Sequence, residues 1–129
     1  MNEKAKKKVL VVDDAVTVRL YHRQLIEAIG FEVDEAENGL EAIEKGLFED
    51  YALFLVDINM PKMDGYRLVQ EMRKTREMSA IPVVMISTEA ESQDQEMAYR
   101  AGANFYLVKP SKGDELQQIV RLLTGEIST

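Results

Sequence analysis

Asp13 and Asp14 follow the apolar run KVLVV, Asp57 follows YALFLV with Asn59 two residues on, Ser87 and Thr88 follow IPVVMI, and Lys109 with Pro110 follows NFYLV. Three carboxylates, two hydroxyls and an ammonium therefore each stand at the carboxyl end of a hydrophobic segment. Taken singly they are ordinary: an aspartate pair caps a helix, a serine serves a turn, and a lysine before proline is solvated. Gathered at one edge they would raise one another's pKa unless a cation joined them. Asp57 poses the sharpest problem, because a carboxylate at the end of a buried run loses water it must replace with another partner.

Magnesium fits that need. It takes oxygen ligands in an octahedron, keeps some of its waters, and is usually held by one or two carboxylates together with a phosphoryl group. With Lys109 it would keep Asp57 ionised. An ionised carboxylate beside a metal, an ammonium and a hydroxyl donor is suited to in-line attack on phosphorus, with charge on the equatorial oxygens neutralised.

The composition leaves room for this chemistry and removes others. The chain has 129 residues, no cysteine and one histidine, so disulfides and thiolate zinc sites are excluded and a nitrogen-ligated metal has little to hold it. Hydrophobic residues at 46% and charged residues at 30% suit one globular domain with one core. A formal charge of −7 disfavours a general grip on nucleic acid. Lys4, Lys6, Lys7 and Lys8 form the one dense basic cluster, which reads as a solvated N-terminal tail. No apolar run approaches a membrane span, and the N-terminus lacks a signal-peptide profile. A cytoplasmic monomer without membrane or nucleic-acid partners is expected.

The elements that must position these residues alternate. The apolar runs predict five strands, the second being FEVDEA near residues 31 to 36. Between them lie helical patterns. In the first, Val18, Tyr21, Leu25, Ala28 and Ile29 share a stripe that closes at Gly30, a site for left-handed backbone. Asn38 and Glu41 frame a second through Leu40, Ile43 and Leu47, and Leu68, Val69 and Met72 mark a third. A fourth, EAESQDQEMAYRAGA, offers only Ala90, Met97, Ala98 and Ala101, and is expected to be the loosest element. The fifth places Leu116, Ile119, Val120 and Leu123 behind Ser111 and Asp114, which have capping-box spacing. Strands apolar at nearly every position, alternating with helices, predict an α/β fold: a five-stranded parallel sheet with helices on both faces, in the flavodoxin-like order 2-1-3-4-5. One domain over residues 1–129, with a core of about 8–124, short polar tails and no effector domain, is expected.

The constellation resembles the receiver domain of bacterial response regulators, over essentially the whole chain from Lys8 to about Thr124. VVDDA, VDINMPKMDG, VVMIST and AGANFYLVKP carry the likeness, which leans toward single-domain chemotaxis members of the CheY type. The strand order expected above is also that of CheY, so the two are not independent. The resemblance implies that Asp57 accepts a phosphoryl group from a phosphohistidine on a histidine kinase or phosphotransfer domain. Asp14, Asp57 and the backbone carbonyl of Asn59 would bind Mg2+ directly, and Asp13 through water. Lys109 would bridge to the phosphoryl oxygens and Ser87 would donate its hydroxyl to another. Tyr106 would swing inward as Ser87 moves, changing the surface of the fourth helix, fifth strand and fifth helix, and a cis bond would precede Pro110. A flagellar motor switch protein or a phosphatase are the further partners implied, with a phosphorelay intermediate or phosphate sink as the alternative.

Three departures from the family pattern stand out. Ser87 replaces the commoner threonine; Thr88 stands where alanine or glycine is usual and could crowd Asp57; Ser111 suggests a polar face near the fifth helix. His22 reads as the edge of a core stripe, Leu20 lies off that stripe where a phosphotransfer helix could meet it, and Met60, Met63, Met72, Met85 and Met97 read as gap-fillers. A magnesium-dependent aspartyl-phosphate phosphatase is a competing reading. Such enzymes carry a second aspartate two residues after the nucleophile as acid and base, and Asn59 cannot exchange a proton. A nucleotide or flavin module would need a glycine- or hydroxyl-rich loop where DDAVTVR stands. A partner-binding domain that is never phosphorylated is the remaining alternative.

Overall fold

The computed structural model describes residues 6–126, so Lys4 lies outside the described residues. Strands β1 (Lys8–Val12), β2 (Glu32–Ala36), β3 (Leu53–Asp57), β4 (Val83–Ser87) and β5 (Phe105–Val108) form one sheet ordered β2-β1-β3-β4-β5. Every pairing is parallel. Helices α1 (Val16–Glu27), α2 (Gly39–Phe48), α3 (Gly65–Lys74), α4 (Ser92–Ala101) and α5 (Gly113–Leu123) follow the strands in turn. This is the predicted flavodoxin-like architecture. Among the described residues no helix is long and apolar enough to cross a membrane.

Alternate strand residues point to opposite faces, and both faces are covered. Val9, Val11, Leu53, Leu55, Val84 and Ile86 pack beneath α1 and α5, with Ile26, Leu116 and Val120. Leu10, Val12, Phe54, Val56, Val83 and Met85 pack beneath α2, α3 and α4, with Ala42, Leu68, Val69, Met72 and Ala98. Fully burying a leucine or phenylalanine contributes about 1.5–3 kcal/mol. All five residues of β3 are buried, so the strand that carries Asp57 is anchored from both sides.

Three helices differ from their predicted contacts. In α1 the buried residues are His22 and Ile26, while Tyr21 and Ala28 are exposed. Apolar residues occur nearly all round this helix, so hydrophobicity alone does not select its inner face. Arg19 and Arg23 do: both reach Glu35 on β2, and that fixes the roll. Gly30 does adopt the left-handed backbone, with φ of 98°. In α2 the predicted Leu40 and Leu47 are exposed, and Gly39, Ala42 and Gly46 lie inside. Met78 and Phe54 press so closely that a Cβ at Gly46 would fall 2.3 Å from Met78 Sδ. The predicted N-cap is present, the Asn38 side chain accepting from the Glu41 amide at 2.9 Å.

The expected capping box of α5 does not form. The helix begins at Gly113, the Asp114 carboxylate accepts from the neighbouring Glu115 amide, and Ser111 points into the interior with its hydroxyl unpaired. Ser111 therefore gives no polar face. The predicted apolar stripe of α5 holds, with Leu116 and Val120 fully buried. Helix α4 buries only Ala98 and Ala101, the slight hold that its sequence predicts. Met72 and Met85 are buried and Met60 and Met63 pack against the core, but Met97 is exposed, because α4 turns its alanines inward instead.

Candidate functional site

The strand ends gather the predicted residues at one edge of the sheet. Carboxylate oxygens of Asp13, Asp14 and Asp57 all lie within 4.8 Å of one another; Asp13 and Asp57 are buried and Asp14 is exposed. Lys109 reaches across from β5. Its Nζ donates to Asp57 Oδ1 at 2.9 Å and to Asp13 Oδ2 at 3.0 Å. The bond before Pro110 is cis, as expected. Asn59 is exposed two residues beyond Asp57, and Thr88 is exposed at the end of β4.

Three carboxylates share one ammonium, and the protonation equilibria follow from that imbalance. Burial pushes the Asp57 carboxyl above its ordinary value, Lys109 pulls it back, and the charges of Asp13 and Asp14 push it up again. Lys109 alone does not offset the desolvation. On Lys109 itself burial acts downward, but hydrogen bonds to Asp57 and Asp13 outweigh it and the ammonium is held more firmly than usual. The donor set is hard oxygen, gathered and net negative, and it suits magnesium.

A carboxyl whose folded-state pKa exceeds its unfolded value of 3.8 opposes folding while ionised. The penalty is complete above the folded value and is relieved as pH falls through it toward 3.8. Asp57→Asn is therefore expected to stabilise the metal-free protein near neutral pH, since Lys109 keeps Asp13 as its partner at 3.0 Å. Urea midpoints across pH should show the gain fading in acid; a variant less stable than wild type at neutral pH would contradict the assignment.

Ser87 and Tyr106 meet at a common residue. The Ser87 hydroxyl, fully buried, accepts from the Glu89 amide at 3.1 Å, and the Tyr106 hydroxyl donates to the Glu89 carbonyl at 2.6 Å. Tyr106 is 6% exposed, which places its ring inside. Glu89 was not singled out in the sequence, because it acts only through its main chain.

Two further residues near the site carry no signal in the spacing. A Cβ at Gly65 would fall 2.5 Å from the Asp57 carbonyl oxygen and 2.8 Å from Ile58 Cα, so α3 starts in backbone contact with the loop after Asp57. The Gly65 amide donates to the Ile58 carbonyl at 2.8 Å, and the Asp64 carboxylate caps the helix by accepting from the Arg67 amide. Arg19 Nη1 donates to the main-chain carbonyl of Asp13 at 2.7 Å.

His22 is 3% exposed and lines, with Thr88 and Lys109, a cavity of about 340 Å³ beside the site. Burial lowers its pKa to about 4, helped by the Lys109 charge and opposed by Asp13. The unfolded chain takes up this proton near 6.5, so the neutral ring contributes stability that is complete above 6.5 and is lost as pH falls toward about 4. Since the chain has one histidine, its ring resonance in NMR is unambiguous. The signal is expected to stay in the neutral position until close to pH 4; a midpoint near 6.5 would contradict the burial.

A doubly wound parallel sheet with an acidic cluster and a lysine at its carboxyl edge is the architecture of a known family, whose description is the response regulator receiver domain; its model matches residues 9–121. The chain belongs to that family. It is 38% identical over 120 residues to the chemotaxis protein CheY1 of Helicobacter pylori, covering 92% of this chain and 97% of that one. It is 37% identical to the transcriptional regulatory protein ResD of Bacillus subtilis, over 99% of this chain but 52% of ResD. The chain thus spans about half of that relative, and 15% of a gliding motility regulatory protein of Myxococcus xanthus, to which it is 39% identical over 91% of its own length. Among solved structures, the receiver domain of sensor histidine kinase PA1611 from Pseudomonas aeruginosa, which has a magnesium ion coordinated in its active site cleft, superposes with a TM-score of 0.87 at 28% identity, covering 94% of this chain and 99% of that one. CheY4 of Vibrio cholerae gives a TM-score of 0.87 at 29% identity, over 92% and 99%.

Proposed function

We propose that the chain is a phosphoacceptor switch of a two-component pathway, with Asp57 as acceptor. The observation that carries this reading is the contact of Asp57 Oδ1 with Lys109 Nζ at 2.9 Å beside Asp13 and Asp14, at the end of a fully buried strand. An Asp57 oxygen attacks the phosphorus of a phosphohistidine in line, the P–N bond breaks, and the imidazole leaves with the electron pair. Lys109 meets the charge on the transferring phosphoryl oxygens, and Ser87 donates its hydroxyl to one of them.

Asp14, Asp57 and the Asn59 carbonyl would hold magnesium directly and Asp13 through water. The ion supplies charge neutralisation at the phosphoryl oxygens and offsets what Lys109 leaves uncompensated at Asp57. As Ser87 turns to the phosphoryl group it gives up the Glu89 amide, and Tyr106, bonded to the same residue, carries the change to α4, β5 and α5. The slight burial of α4 favours that response.

The phosphodonor is a histidine kinase or phosphotransfer domain. Exposed Tyr21 on α1 lines the cavity at Thr88 and Lys109, and Val16 and Leu20 are exposed on the same helix, where a donor helix would sit. Chemotaxis is supported by the match to CheY1 over 97% of its length, and makes a flagellar motor switch protein or a phosphatase the downstream partner of a monomeric, cytoplasmic switch. Incubation of wild type and Asp57→Asn with a small phosphodonor and magnesium, followed by capture on a flagellar switch protein, tests this. Labelling and capture of wild type alone are expected. Equal labelling of both would move the acceptor elsewhere, steady turnover of a phosphate ester would favour a phosphatase, and labelling without capture would favour a relay.

A further inference from the structure

We propose that Arg19 is a positioning residue for the metal site, setting the turn that presents the Asp13 and Asp14 carboxylates. The inference rests on the reading that these carboxylates bind magnesium. Arg19 lies in the first turns of α1 with its side chain 12% exposed. One arm of its guanidinium donates to the Asp13 carbonyl at 2.7 Å, and Nε donates to Glu35 Oε1 at 2.8 Å. Glu35 is itself anchored. Its second oxygen accepts from Arg23 at 2.6 Å, its main-chain carbonyl accepts from Lys45, and the two arginines hold its carboxyl below the usual range.

A fixed charged link thus runs from β2 through Arg19 to the peptide joining Asp13 to Asp14. Other groups of the same turn are also tied: the Asp13 amide donates to the Ala36 carbonyl at 3.0 Å, and Asp13 Oδ1 accepts from the Ala15 amide at 2.9 Å. The carbonyl bond to Arg19 adds a third restraint, and rotation of that peptide would swing Asp14, the exposed member of the cluster. A planar guanidinium holds both partners at once, which a lysine ammonium does less well.

Calorimetric titration of the whole chain with magnesium tests the role. Arg19→Gln is expected to weaken binding about tenfold, in line with loss of a residue that orients metal ligands. Its phosphorylation by a small phosphodonor should return close to the wild-type rate when magnesium saturates, because Asp57 and Lys109 are untouched. Arg19→Lys should fall between the two, and it decides the matter if Arg19→Gln does not fold. Arg23→Gln removes one support of Glu35 but leaves the Arg19 bonds to Glu35 and to the Asp13 carbonyl in place, and should weaken magnesium binding far less than Arg19→Gln does. Wild-type affinity in both Arg19 variants, or equal weakening in Arg23→Gln, would overturn the proposal. Failure of the wild-type protein to bind magnesium would overturn it together with the reading beneath it, a result distinct from either of those.

Discussion

Lys109→Met is expected to lower the rate of phosphorylation by a small phosphodonor about a hundredfold at saturating magnesium, the loss typical of removing one preorganised donor from developing charge. The same change should leave magnesium binding as tight as in wild type or tighter. Lys109 donates to Asp13 at 3.0 Å and Asp57 at 2.9 Å, so it competes with any ion for those oxygens. Removing it frees the ligands but takes away the one side-chain cation that touches the acceptor carboxylate among the described residues. Without metal, Asp57 should take up its proton at still higher pH, because burial and the charges of Asp13 and Asp14 already act upward. Lys109→Arg keeps the charge but not the compact ammonium, and should recover only part of the rate. Paired measurements of binding and rate separate these effects. Parallel loss of both would mean that the lysine mainly holds the site together.

Gly65→Ala is expected to cost about 2–3 kcal/mol of stability, since the added methyl meets main chain that cannot swing aside. The methyl would lie 2.5 Å from the Asp57 carbonyl oxygen and 2.8 Å from Ile58 Cα. Alanine is the better helix former, but by at most about 1 kcal/mol, and less in a first turn. Relief requires α3 to back away from the end of β3, which would move the loop that carries Asn59. A lower urea midpoint with slower phosphorylation is therefore expected. An alanine variant as stable as wild type would show that the helix start can yield.

The strand pattern and the strand-end residues were legible in the sequence because both obey local rules. A strand buried on two faces must be apolar at nearly every position, and a polar residue that ends such a run lies at the sheet edge. Asp13, Asp57, Ser87 and Lys109 were all found this way. What failed was tertiary. Helix α1 is apolar almost all round, so its roll depends on where Arg19 and Arg23 find Glu35. The inner face of α2 is made of Gly39, Ala42 and Gly46, small residues that carry little hydrophobic signal but are required by Met63, Met78 and Phe54 above them. Ser111 has the spacing of a cap, yet the helix starts too late to use it. Gly65, Glu89 and Arg19 act through backbone contacts with residues elsewhere in the fold, which no spacing within the chain reveals.

The most direct test of the account is the location of the phosphoryl group. After phosphorylation in magnesium, borohydride reduction converts an aspartyl phosphate into homoserine, and peptide mass spectrometry locates the new residue. Homoserine at position 57, appearing only when magnesium is present, is the result predicted by a lysine-paired carboxylate buried at the end of β3. Homoserine at position 13 or 14, or phosphate retained on Ser87, would contradict it.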